Sequence, residues 1–339
     1  MKRITWSFVA VVMALFISAN LAQAATKDEV MKRGYLQCGV STGIPGYSNP
    51  DEKGNWTGLD VDVCRAVAAA TIGDASKVKY IPLNAKERFT ALQSGEIDVL
   101  SRVTTYTLTR DSSLGLNFAG VTYYDGQGFL VSKKLGVKTA AELNGAAICI
   151  QSGTTTEVNL ASYFKQTKME YKPIVFDTSD ETAKGLEAGR CDVLTSDQSQ
   201  LYALRIKLAN PNDYIILPDI ISKEPLGPAV RQGDDNWFDI VKWSLFAMLN
   251  AEEMGITSAN IDKMMESTDP NIQKFVGKEG IKGEGLGLKD DWAAQIIKQV
   301  GNYGEAFDRN VGKGSPLKIE RGLNALWNQG GLQYSPPML

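Results

Sequence analysis

LQSGEIDVL at residues 92–100 and LEAGRCDVL at residues 186–194 are two copies of one pattern, offset by 94 positions. Each reads as the end of a helix, a glycine at its C-terminal cap, and a short buried strand. A second echo lies upstream in the same order: CGVS at 38–41 and CIQS at 149–152, each a β-like run entering a loop. Helix–glycine–strand joints also arise by chance, but two echoes in matching order point to two similar halves. Around them, strand-like runs (35–40, 78–82, 99–103, 129–132, 147–150, 174–176) alternate with helical runs (59–70, 85–93, 157–166, 182–188, 199–208). That alternation predicts an α/β chain with helices packed on the faces of its sheets. Ligands in such folds sit beyond the carboxyl ends of strands.

The chain leaves its first half near YYDGQG (123–128) and returns near ISKEP (221–225). Both segments set Gly or Pro beside extended residues, as a two-stranded hinge requires. The expected division is lobe one at 25–126 and 226–339, and lobe two at 127–225. Residues 237–250 read as an amphipathic helix that packs back on lobe one. The tail beyond 251 reads as a mostly helical wrap on the same lobe, ending in an aromatic-bearing helix at 319–328.

The first residues bear on compartment. Lys2 and Arg3 precede an apolar stretch over 4–21 that ends in Ala22, Gln23 and Ala24. This is the pattern of a secretory signal peptide (1–24) cut after Ala24. A membrane anchor is the alternative, against which Thr5, Ser7, Ser18 and Asn20 interrupt the stretch. The chain carries 36 basic and 39 acidic residues; residues 1–24 hold two of the basics and no acids, leaving 34 against 39. An acidic balance argues against nucleic acid or an anionic membrane as partner.

Histidine is absent altogether. That removes the usual neutral-pH general base, the commonest metal ligand, and every Ser-His-Asp or Cys-His nucleophile. The expectation is a protein that is not an enzyme and holds no metal or cofactor. Cys38, Cys64, Cys149 and Cys191 form no C-x-x-C pair, and an even count in an exported chain reads as two disulfides. Three pairings are possible; sequence order and the lobe assignment favour Cys38–Cys64 and Cys149–Cys191.

Different polar groups follow the two repeated strands. Lobe one gives Thr104, Thr105, Thr107 and Arg110; lobe two gives Asp197. A guanidinium can grip a carboxylate with two parallel bonds, and an ionised carboxylate suits an ammonium with three donors. Together they suit a zwitterion. Each has a plainer reading: Arg110 as a surface partner of Asp111, Asp197 as a helix N-cap, clustered Thr as strand formers. Thr154 and Glu157 have capping-box spacing and place a helix N-terminus, with its free N–H groups, just after a strand. Arg88, beside Phe89, is either a solvated helix residue or a contact to a ligand side chain.

In order along the chain, GLDVD (58–62), LQSGEID (92–98), TLTR (107–110), SGTT (152–155) and GRCD (189–192) resemble the motifs of the periplasmic polar amino acid-binding proteins of ABC importers. The tail, with GLNALW (322–327) and GGLQY (330–334), is similar to the general L-amino acid-binding branch. The resemblance implies a type II periplasmic-binding-protein fold, two lobes on a two-stranded hinge with a C-terminal helical extension on lobe one. It implies a periplasmic monomer that captures free L-amino acids, polar or acidic among them, and delivers them to a membrane permease by hinge closure. It assigns Thr105 and Arg110 to the ligand α-carboxylate with help from the Thr155 N–H, Asp197 to the α-ammonium together with the carbonyl near Val103, and Arg88 to the side chain. One departure stands out. The family's aromatic wall is replaced by Ile44, Pro45, Gly46 and Tyr47, and its second aromatic position by Ala85, which favours a looser polar pocket. Two alternatives share the architecture: a periplasmic dehydratase acting on a cyclohexadienyl amino acid, and a ligand sensor feeding chemotaxis.

Overall fold

A computed structural model describes residues 25–280 and 283–338; the expected signal peptide lies outside the described residues. The described residues build fourteen short strands: β1 (Leu36–Val40), β2 (Asn49–Pro50), β3 (Trp56–Thr57), β4 (Val78–Pro82), β5 (Val99–Leu100), β6 (Leu116–Phe118), β7 (Tyr123–Asp125), β8 (Gln127–Ser132), β9 (Ala147–Gln151), β10 (Lys172–Phe176), β11 (Val193–Asp197), β12 (Tyr214–Ile216), β13 (Glu224–Leu226) and β14 (Ala229–Arg231). Two five-stranded sheets result, ordered β4-β1-β5-β14-β6 and β10-β9-β11-β8-β12. In each, three parallel strands adjoin two antiparallel ones. Strands β7 and β13 pair antiparallel between the sheets, Asp125 opposite Glu224, as the expected hinge.

The sequence echoes mark equivalent joints of the two sheets. Gly95 and Gly189 both take positive φ, 80° and 68°. The Asp98 carboxylate accepts the Gln37 amide at 2.7 Å, and Asp192 accepts the Ala147 amide at 2.9 Å. Each acidic residue thus satisfies an amide near the start of the strand beside its sheet's central one and fixes where that central strand enters. The register differs by one residue, Cys38 facing Val99 and Cys149 facing Leu194. Disulfides join Cys38 to Cys64 and Cys149 to Cys191, the favoured pairing.

Three expected elements are changed by tertiary contacts. The strand expected over 99–103 stops at Leu100, because Val103 takes a φ of 38° and turns its amide to the Asp60 carboxylate at 3.0 Å. The helix expected from 85 begins at Arg88, because Asn84 Oδ1 accepts the Lys86 and Glu87 amides and holds them in a turn. The helix expected over 319–328 is absent. Two 3₁₀ turns, Gly322–Asn324 and Trp327–Gln329, stand in its place. Leu323, Leu326 and Trp327 have helical spacing, but ten residues are too few to hold a helix without packing. The buried Asn324 instead accepts the Tyr124 amide at 2.7 Å and donates to its carbonyl at 3.2 Å.

The rest of the tail packs as expected. Trp292, Ile296 and Ile297 from helix Trp292–Gln299 and Tyr303 and Phe307 from helix Tyr303–Asn310 share one core with Leu59, Ala66 and Ala69 of helix Leu59–Ile72 and with Leu245 and Met248 of helix Asp235–Glu253. Small alanines on the middle helix let its neighbours approach. The tail also reaches the hinge: Tyr303 donates to the Thr122 carbonyl at 2.7 Å and Gln333 to the Val121 carbonyl at 3.2 Å. No described helix is long and apolar enough to cross a membrane.

Candidate functional site

The carboxyl ends of the two sheets face one another across a narrow cavity lined by Arg88, Arg102, Val103, Thr105, Gln151, Thr154, Thr155, Thr156, Ser196, Asp197 and Gln200. Five of the six residues expected from sequence to contact a ligand line it; the sixth, Arg110, does not, and donates to the carbonyl of Thr105, which does.

The first sheet supplies cations and hydroxyls. The positive φ at Val103 carries the chain from β5 onto the return strand, where Thr105 bridges to Leu226 and Tyr106 N donates to the Pro225 carbonyl at 2.8 Å. Thr107 then caps helix Leu108–Ser113 by accepting the Arg110 amide. This short helix turns the Arg110 side chain inward, where Nη1 donates to the Thr105 carbonyl at 2.8 Å. Arg110 is therefore buried, not a surface partner of Asp111. Arg88 is 2 % exposed, which excludes a solvated helix face. Its Nη1 donates to Thr104 Oγ1 at 3.3 Å, and its Nε is buried with no partner among the described residues. Phe89 lies beneath both guanidinium groups, 4.7 Å from Arg88 and 5.1 Å from Arg110. Here the aromatic ring supports the arginines. Tyr47 packs edge-on against Tyr123 at 5.8 Å in the core, and Ala85 is buried beside Gly153, so neither forms a wall of the cavity.

The second sheet supplies the opposing anion and a helix start. Thr154 caps helix Thr155–Thr167. The expected reciprocal contact shifts by one residue: the Glu157 carboxylate accepts the Gly153 amide at 3.2 Å. As the first residue of that helix, Thr155 has an amide with no acceptor inside it. Its hydroxyl stands 3.3 Å from that of Thr105 and donates to Glu224 at 2.9 Å. Asp197 occupies the N-cap position of helix Gln198–Arg205 yet makes no capping bond. One oxygen accepts Gln200 Nε2 at 2.5 Å, and Oδ1 is buried without a partner among the described residues.

Several site residues escape sequence reading. Arg102 is buried with its Nε on the Leu83 carbonyl at 3.0 Å. Glu224 is buried in the hinge and accepts Thr155, Asn159 at 2.6 Å and Ser222 at 2.7 Å. Asp125 stands opposite it in the same ribbon. The only sequence signal for Arg102 is its place in the loop after the first repeat; Glu224 and Asp125 are acids inside hinge segments that otherwise read by their Gly and Pro.

The electrostatics follow from burying many charges together. Burial holds the Asp197 carboxyl well above its usual range, and the nearby Asp125 and Glu224 charges add to the effect. Burial likewise pushes Asp125 up to about 7. Burial lowers Arg88 well below its usual value, with the Arg102 and Arg110 charges next in size. Arg102 falls to about 10, mainly by burial. A ligand that is anionic at one end and cationic at the other relieves both strains together.

Residues 36–259 match the family described as bacterial extracellular solute-binding proteins, family 3. The chain is 63% identical over 326 residues to a general L-amino acid-binding periplasmic protein of Rhizobium johnstonii, covering 96% of both chains. It is 52% identical to a glutamate/glutamine/aspartate/asparagine-binding protein of Rhodobacter capsulatus, covering 94% of this chain and 95% of that one. A solved ABC transporter periplasmic binding protein from Brucella ovis with glutathione bound has a TM-score of 0.92 at 58% identity, covering 93% of this chain and all of that one.

Proposed function

The chain belongs to the bacterial extracellular solute-binding proteins of family 3, and from that premise we propose that it captures free L-amino acids between its lobes and delivers them to the permease of an ABC importer. One observation carries the reading: Arg88 Nε and Asp197 Oδ1, of opposite charge and both buried without a partner among the described residues, border one cavity between two sheets. Buried polar atoms are almost always paired, so each calls for a partner from a ligand.

In this reading Arg110, Thr105 and the Thr155 N–H hold the α-carboxylate, while Asp197 and the Val103 carbonyl hold the α-ammonium. Arg88, with Arg102 beside it, faces the side chain. Two guanidinium groups at that end favour acidic and amide side chains, in keeping with the names of the Rhodobacter relative and, through its γ-glutamyl unit, the glutathione of the Brucella structure. A cavity lined without aromatic rings suits a broad range. Contacts from both lobes coexist only when the cleft is shut, so ligand shifts the population toward the closed form that a permease reads. The division into 25–126 with 226–339 and 127–225, export by a leader cleaved after Ala24, and a monomeric state belong to the same reading, as does the absence of chemistry on the ligand.

The test is a thermal-shift screen against the common L-amino acids and glutathione. A ligand at ~100 times its dissociation constant stabilises by about 2.7 kcal/mol. No shift with any of them removes the assignment, and turnover of a cyclohexadienyl amino acid by the protein would replace it with an enzyme.

A further inference from the structure

We propose that Asp125, in the hinge, is a positioning residue that caps the helix behind Asp197 and thereby frees the Asp197 carboxylate for the ligand. The inference rests on the reading that Asp197 receives the ligand ammonium. Asp197 stands at the N-cap of helix Gln198–Arg205, with the extended backbone (φ −55°, ψ 138°) that position uses. Aspartate is among the strongest N-cap residues, and its side chain ordinarily takes the amide two or three residues on. Left alone, Asp197 would fold back onto its own helix.

It does not: the amide two residues on is already taken. Ser199 N, two residues on, donates to the Asp125 carboxylate, at 3.2 Å to Oδ2 and 3.4 Å to Oδ1. Gln198 N donates to the Gly126 carbonyl at 2.8 Å. The first two helix amides are thus satisfied by consecutive residues of the hinge, more than 70 positions away in sequence. Gly126 N donates to Asp125 Oδ1 at 2.9 Å and fixes the carboxylate in place. With the cap supplied from outside, Asp197 turns one oxygen to Gln200 Nε2 and leaves the other without a partner at the cavity. Asp125 also lies where the chain crosses between the sheets, next to β8 and opposite Glu224. Whatever bends the hinge therefore moves the capping group and the helix start as one unit.

The experiment measures binding of L-glutamate and of glutarate, which lacks only the α-ammonium, by titration calorimetry to the wild type and to Asp125→Ala, Asp125→Asn and Asp197→Ala. Asp125→Ala returns the Ser199 amide to Asp197, so L-glutamate binding weakens about tenfold while glutarate changes less than about twofold. Asp125→Asn keeps an acceptor oxygen without the charge and restores L-glutamate binding to within about threefold. Should Asp125→Ala fail to fold, Asp125→Ser, too short to reach Ser199, takes its place. Equal weakening of both ligands, no weakening of either, or failure of the Asn variant to restore binding each overturns the capping role. Unchanged L-glutamate binding by Asp197→Ala would instead sink the underlying reading of Asp197, and the inference with it.

Discussion

Arg110 and Asp197 follow strands of different sheets and are positioned by different devices, a capped short helix for one and a vacated cap position for the other. Removing either leaves the opposite end of a bound zwitterion paired and its own end buried and bare. Arg110→Ala and Asp197→Ala are each expected to weaken amino acid binding by about thirtyfold or more, since losing one partner of a buried charge pair costs about 2–5 kcal/mol. Calorimetry with the best ligand from the screen measures this, and near-normal affinity excludes the residue from the site. The raised Asp197 pKa adds a pH dependence whose sign is fixed. Burial, with the Asp125 and Glu224 charges, favours the protonated carboxyl in the unliganded protein, while an ammonium needs it ionised. Binding therefore releases a proton, and affinity falls as pH is lowered. Titrations in buffers of different ionisation enthalpy count that proton. Asp197→Asn should remove it.

At the scale of elements, the joints matter more than the strands. A Cβ on Gly227 would lie 2.0 Å from the Gly120 carbonyl oxygen, where the return strand crosses the chain running toward the hinge. Backbone cannot yield there as a side chain could. Gly227→Ala is expected to destabilise the protein by about 2–4 kcal/mol in urea unfolding, the size of a severe overpacking change. The same scale explains where periodicity misleads. It places β1, β4 and helix Leu59–Ile72 to within two residues at either end, because their apolar pattern agrees with their packing. It extends β5 three residues too far because Val99 through Val103 reads as a strand, while the Asp60 carboxylate 43 positions away holds Val103 in a turn. It makes a helix of 319–328 where Asn324 bonds the hinge.

At the scale of the molecule, the tail and the hinge form one structure. Asn324 pairs both peptide groups of Tyr124, and Tyr303 and Gln333 take the carbonyls of Thr122 and Val121. The ribbon between the lobes is thus held along one edge by residues 181 to 212 positions later. Asn324→Ala leaves the Tyr124 peptide without both partners and is expected to lower stability by about 1–3 kcal/mol. Thermal unfolding with and without ligand measures the loss; an unchanged midpoint would mean that water replaces the amide without cost. Across the cleft mouth, Lys86 and Asp177 join the lobes at 2.6 Å, but both are more than half exposed, and such pairs contribute little.

By itself the sequence determined the two α/β halves, the hinge segments, the disulfide-bearing cysteines and the loops that carry Arg110, Thr105, Thr155 and Asp197. These are local matters: apolar period, glycine caps and turn residues act over a few positions, and a duplicated pattern repeats them visibly. Only the tertiary structure decided that Arg88 is buried, that Arg102 and Glu224 join the site, and that Asp125 does the capping Asp197 would otherwise do. Each of these depends on which charge another segment brings within hydrogen-bonding distance. Burial and pairing are properties of packed neighbours, and no local pattern encodes a neighbour some seventy residues away.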